Sequence, residues 1–271
     1  MSNAQEISSV PAYDVVVERN QISILLQPGD LTVRGGDIAL TKWGDLMLKD
    51  EDYSAFVRLV QGWRFNYPTL KVMFETVFGT FEEQQRLIQE GGNSFPQPTD
   101  KHPHPLFNPA MNAAAFNRAM DEHGAAEVAQ GTYAGAIVVV ISKALQSFKD
   151  NVVATQNEWE TSGPLFGNCS VGQILVAAAN NVRHNDEWAK TRPPNVQQLT
   201  SIKVLAAALK EKIAADGSGH KFAREICPEI LKLLSEGDLA RLESQIFVFA
   251  NDLLMRRQKR LPSQYAGPAN H

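Results

Sequence analysis

The side chains of this chain best suited to chemistry crowd into one stretch, ANNVRHNDEW at 179–188, directly after the apolar run GQILVAAA. Asn180, Asn181, Arg183, His184, Glu187 and Trp188 all fall within it. An imidazole near its unperturbed pKa transfers protons, a guanidinium offers a planar fork to phosphate, and amides both donate and accept hydrogen bonds. If 170–191 is a helix, Asn180, His184 and Glu187 or Trp188 repeat at three- and four-residue spacing and share a face. Leu175, Ala178, Ala179 and Val182 then form a narrow apolar face of mostly small side chains, with Asn181 and Arg183 on the flanks. Polar groups gathered in one groove cost desolvation energy unless they bond one another or a ligand. The purely structural alternative is an ion pair between Arg183 and Glu187, with His184 stacked on Trp188 to close the end of a bundle.

Such a helix needs a scaffold, and the 271 residues, 44% hydrophobic and 21% charged, are enough for a sizeable core. The expected architecture is mainly α, a helical bundle with a small N-terminal antiparallel β meander. Short β-branched or alternating runs from Tyr13 to Leu48 (YDVVVE, QISILL, LTV, DIAL, DLML), punctuated by turn residues, place that meander in a β appendage over 1–50. From 51 the period is helical. Asp50 is placed to cap a helix carrying Phe56, Leu59, Val60 and Trp63 on one face, and Pro68 to open a second with Leu70, Met73, Phe74, Val77 and Phe78. Together with the loop GGNSFPQPTDKHPHPLFNP at 91–109, which holds five prolines, these make a unit over 51–108, a helical hairpin and Pro-rich loop.

A bundle is expected over 109–260, with helical periods near 109–122, 125–160, 170–191, 197–215, 220–235 and 238–259, and a flexible tail over 261–271. The breaks fall at Gly163-Pro164, Pro193-Pro194, Gly217-Ser218-Gly219 and Gly237-Asp238. Gly131 and Gly135, four apart, are suited to close approach of another helix. Arg256, Arg257, Lys259 and Arg260 end the last helix, where cations complement the helix dipole, so a solvated helix end is expected rather than an RNA patch.

The charge balance argues against a polyanion-binding surface spread over the whole molecule: 26 Lys and Arg face 30 Asp and Glu, a formal net charge of -4. The two cysteines, Cys169 and Cys227, lack metal-ligand spacing and suit a reducing cytoplasm. MSNAQEISSVPAYD has no signal-peptide pattern, and AGAIVVVI at 134–141 is too short to cross a bilayer, so a cytoplasmic protein with no membrane span is expected. His102 and His104 form an HPH pair without accompanying Cys or carboxylates and are read as loop histidines, so no metal is expected. No cofactor is expected either, since phosphate-loop, dinucleotide, zinc, nucleophile-elbow and paired-carboxylate signatures are missing from the sequence.

A helical bundle whose late helix carries Asn180, three intervening residues and His184 resembles the HEPN superfamily (higher eukaryotes and prokaryotes nucleotide-binding domains). The usual motif there is Arg, a polar residue that is often Asn, three variable residues and His. NNVRHNDEW also resembles the Asn, Arg or Lys, His and Glu-Trp pattern of bacterial HEPN-like proteins. The resemblance covers 109–260. It implies a homodimer with motif helices facing across the interface and, in active members, a metal-independent endoribonuclease. It makes His184, Arg183 and Asn180 the candidate catalytic residues, with Asn181, Glu187 and Trp188 as binding residues. Cutting RNA in this way needs a base for the 2′-hydroxyl, an acid for the leaving oxygen and a cation for the phosphorane. The place of the family's Arg is taken by Ala179, and Arg183 is adjacent to the His, about 100° around the helix. The partners implied are RNA or a regulatory protein. The remaining reading is a non-enzymatic subunit of an assembly, with the β appendage making the contacts.

Overall fold

Two long helices frame the molecule, each with an apolar stripe that a partner helix must cover. The computed structural model describes residues 9–26, 31–33, 38–41, 46–48, 51–93, 113–190 and 194–260. Helix α1 spans Tyr13–Arg19, α2 Ser23–Leu26, α3 Glu51–Asn93 and α4 Ala113–Asn151. The stripe of α3 (Phe56, Leu59, Val60, Trp63, Leu70, Phe74 and Val77) is buried throughout. It packs antiparallel on α4: the Phe56 ring meets Phe148 edge-on with centroids 4.7 Å apart, while at the other end Gln130 Nε2 donates to the Val77 carbonyl over 3.1 Å.

Pro68 does not open a second helix; it lies inside α3. An interior proline costs about 3 kcal/mol. The apolar stripe continues across it, and each large side chain buried on either side returns roughly 1.5–3 kcal/mol, so packing overrides the local preference. The expected helical hairpin over 51–108 is therefore one rod through Asn93 that includes Gly91 and Gly92. Asp50 and the rest of the Pro-rich loop, with His102 and His104, lie outside the described residues, as does the tail over 261–271. Likewise the break expected near 123 is absent, and α4 runs unbroken from Ala113 to Asn151.

The described residues are mainly helical with little strand, and the first two segments expected in the N-terminal meander are not strands. YDVVVE and most of QISILL are helical, as α1 and α2. Val16, Val17 and Ile22 are buried there, and Glu243 fixes the end of α1 through Arg19 and Asn20, so tertiary contacts override β-branched propensity. Three short segments, Leu31–Val33, Ile38–Thr41 and Leu46–Leu48 (β1 to β3), pair antiparallel in sequence order. The sheet built into the bundle is a two-stranded hairpin, Leu165–Phe166 (β4) with Cys169–Ser170 (β5), within what was read as an interhelix connection. Its turn, Gly167-Asn168, has φ of +56° and +65°, the left-handed pair that a tight hairpin requires. A side chain at Gly167 would run into the Ala207 carbonyl.

The remaining helices are α5 (Gln156–Thr161), α6 (Val171–Lys190), α7 (Val196–Leu209), α8 (Cys227–Ser235) and α9 (Leu239–Arg260). Capping boxes start α5 and α7, Thr155 with Glu158 and Asn195 with Gln198. Ser170 and Gln173 exchange the same pair of bonds at the start of α6. Helix α6 passes through the middle of the bundle, touching α4, α5, α7, α8 and α9. Val171, Ile174, Leu175 and Ala178 are fully buried. Gly135 of α4 does admit α6 closely: a Cβ there would stand 3.2 Å from Val182 Cγ2, while one at Gly131 would meet the Glu225 carboxylate instead.

Arg256, Lys259 and Arg260 at the carboxyl end of α9 are exposed, as expected of a solvated end, and three of its arginines are also tied to the fold. Arg257 pairs with Asp52 of α3 at 2.6 Å and Arg260 with the buried Glu158 of α5 at 2.7 Å. Arg256 binds Asp252 and Thr161. Earlier in α9, the buried Glu243 carboxylate accepts from Arg19, Asn20 and the indole of Trp63. One helix is thereby stapled to α1, α3 and α5.

The expectation about membrane spans rests on the short run 134–141 alone. Among the described residues one helix segment, Met120–Asn151 within α4, is long and apolar enough to cross a bilayer, and half of its most apolar window is buried inside the fold.

Candidate functional site: the cleft between α6 and α7

Four of the six residues singled out by sequence meet at one place. Asn180, His184, Glu187 and Trp188 of α6 line a cleft of about 100 Å³ with Asn195, Gln197, Gln198 and Ser201 from the start of α7. The α6 side follows from helical spacing. The α7 side is set by the capping box: the Asn195 side chain accepts from the Gln198 amide at 2.9 Å, and Gln198 Oε1 accepts from the Asn195 amide at 3.0 Å. Asn180 Nδ2 donates to Ser201 Oγ over 3.2 Å and bridges the two helices.

At the mouth His184 and Glu187 are half exposed, with His184 Nδ1 3.2 Å from a Glu187 carboxylate oxygen. Glu187 thus lies against His184 rather than against Arg183, its carboxylate beside Nδ1 of the His184 ring. Trp188 is 3% exposed and contributes an edge of the cleft rather than an open stacking face. Its aromatic neighbour is His220, at 6.5 Å and nearly perpendicular, not His184.

Two of the six do not join the site. Asn181 is fully buried on another face, where Nδ2 donates to the Phe222 carbonyl over 2.8 Å and Oδ1 accepts from the Ile226 amide over 3.3 Å. It organises the segment 220–226, which was expected to be helical and instead leads into α8. Arg183 is exposed and does not line the cleft. Ala179, at the place of the family's Arg, is 1% exposed among core side chains. Among the described residues no Lys or Arg lines the cleft, so proton transfer has a candidate in His184 while phosphorane stabilisation has none among them.

Among the described residues no three His, Cys, Asp or Glu side chains are grouped to hold a metal ion. Both thiols are buried, and desolvation pushes both thiol pKa values up, with Glu160 adding to it at Cys169 and Glu225 and Glu229 at Cys227.

Sequence reading missed the α7 half of the cleft. The signal was present in Asn195-Val-Gln-Gln198, a capping-box spacing just after two prolines. Nothing in sequence indicated that Ser201 would face Asn180. The chain matches no family model, no curated protein and no solved structure.

Proposed function

We propose that this chain is a HEPN-like helical protein that binds single-stranded RNA at the α6–α7 cleft without cutting it. The observation that carries the reading is the convergence of Asn180, Asn195, Gln197, Gln198 and Ser201 on one open cleft with the His184 ring at its mouth. Amides and hydroxyls bond the edges of unpaired bases, and His rings and guanidinium planes stack on their faces. His184, at the mouth, supplies such a plane. Binding is favoured over cleavage because the cation that cleavage needs is replaced by buried Ala179. The Asn180–His184 spacing supports the family assignment, and dimerisation through the exposed 183–190 end of α6 belongs to the same proposal.

The second reading is a regulatory protein partner. Balanced charge on that helix end favours it: Lys190 lies 3.6 Å from Asp186, and Glu187 offsets Arg183. Metal-free incubation with fluorescent mixed-sequence RNA separates these readings. Saturable binding that weakens in His184→Ala and Asn180→Ala, with the RNA left intact, supports the proposal. Cleavage lost in His184→Ala would restore the ribonuclease, and no binding would leave the protein partner.

A further inference from the structure

A second groove, sharing no residue with the α6–α7 cleft, opens where α3, α4 and α9 come together. Leu59, Trp63 and Leu70 of α3, Val140 and Ala144 of α4 and Ile246 of α9 are among its lining, and it encloses about 470 Å³. An apolar cavity of ~150 Å³ accommodates benzene, so this volume corresponds to roughly three such rings. It also falls within the range of pre-formed small-molecule sites. The floor is fixed: Trp63 donates its indole N–H to Glu243 at 2.9 Å and holds edge-on contacts with Tyr67 and Phe247. The groove is therefore walled by packed side chains on three helices.

Its polar groups are confined to three lining residues, Asn66, Lys143 and Ser147. Lys143 and Ser147 are exposed. Among the described residues Lys143 forms no ion pair, and no Asp or Glu lines the groove. An apolar trough with one unpaired cation among its lining and no anion is complementary to an apolar chain ending in a negative charge.

We propose that this groove binds a long-chain carboxylate, its chain along Trp63, Leu70, Val140 and Ala144 and its head group on Lys143. Titration calorimetry and Trp fluorescence with sodium laurate below its micelle concentration test this, with dodecyltrimethylammonium as the control of opposite charge. The expected result is one laurate per chain with a change in Trp63 emission, and at least tenfold weaker binding of the cation. Lys143→Glu, at an exposed site, is expected to weaken laurate at least tenfold while leaving the circular dichroism and melting curve unchanged. Ala144→Trp is expected to abolish binding by filling the trough. Equal affinity for both amphiphiles, laurate binding unaffected by either substitution, or no saturable binding would overturn the proposal. So would a concentration-dependent dimer that Ala144→Trp disrupts without any laurate site, which would make the groove's occupant a second copy.

Discussion

Replacing Asn181 with Ala separates the structural side of α6 from its open side, and the size of the effect follows from the contacts. Asn181 is fully buried and bonds two backbone groups, the Phe222 carbonyl and the Ile226 amide. Truncation leaves one carbonyl and one N–H buried without a partner, each costing about 1–3 kcal/mol. The methyl of Ala recovers little, because the neighbouring atoms are polar. The loss should be roughly 2–6 kcal/mol, which for a chain of this size lowers Tm by about 4–24 °C. His184→Ala and Arg183→Ala, at exposed positions, should shift stability by no more than about 0.5 kcal/mol. Urea and thermal unfolding followed by circular dichroism measure all three. If Asn181→Ala melts with the wild type, or His184→Ala loses as much stability as Asn181→Ala, the division of the helix into a buried bracket and a free site is wrong.

Restoring the family's cation with Ala179→Arg should yield an unfolded or strongly destabilised protein rather than an active nuclease, since position 179 is core and a guanidinium buried without a partner costs several kcal/mol; soluble expression and circular dichroism check it. Glu243→Ala should cost about 2–4 kcal/mol by leaving Trp63 and Asn20 donors unmatched while Arg19, partly exposed, turns to water, and Glu243→Gln should cost less; urea midpoints decide. Burial pushes the Glu158 carboxyl up, but the Thr155 amide, the Thr155 hydroxyl and Arg260 outweigh it and hold its pKa below the ordinary value. The α5–α9 clamp therefore contributes stability that is fully present above the unfolded carboxylate pKa and is lost as pH falls through the lower folded value. Urea midpoints measured down the acid range should show this loss in the wild type and a smaller one in Glu158→Gln.

Periodicity made the long helices legible, and their apolar faces can be named from spacing alone: Phe56, Leu59, Val60 and Trp63, or Leu175, Ala178 and Ala179. What stayed hidden depends on partners distant in sequence. Tyr13–Arg19 looks like a strand until Glu243, more than two hundred positions away, fixes Arg19. Pro68 looks like a boundary until α4 covers the stripe on both sides of it. Within the polar helix, spacing set Asn180, His184, Glu187 and Trp188 apart from the flanking Asn181 and Arg183, but not what Asn181 holds, because its partners lie in the 220–226 segment. The partners of the arginines at the end of α9 stayed hidden for the same reason, with Asp52 and Glu158 far off in sequence.

The measurement that bears most directly on the α6–α7 cleft is fluorescence anisotropy of single-stranded RNA in a metal chelator, with the same samples run on a denaturing gel. The account predicts saturable binding that weakens at least fivefold in both Asn180→Ala and His184→Ala, on the order of 1 kcal/mol per lost contact, with full-length RNA on the gel. RNA that fails to bind, binds both variants as tightly as the wild type, or is cut in a way that His184→Ala abolishes would contradict it.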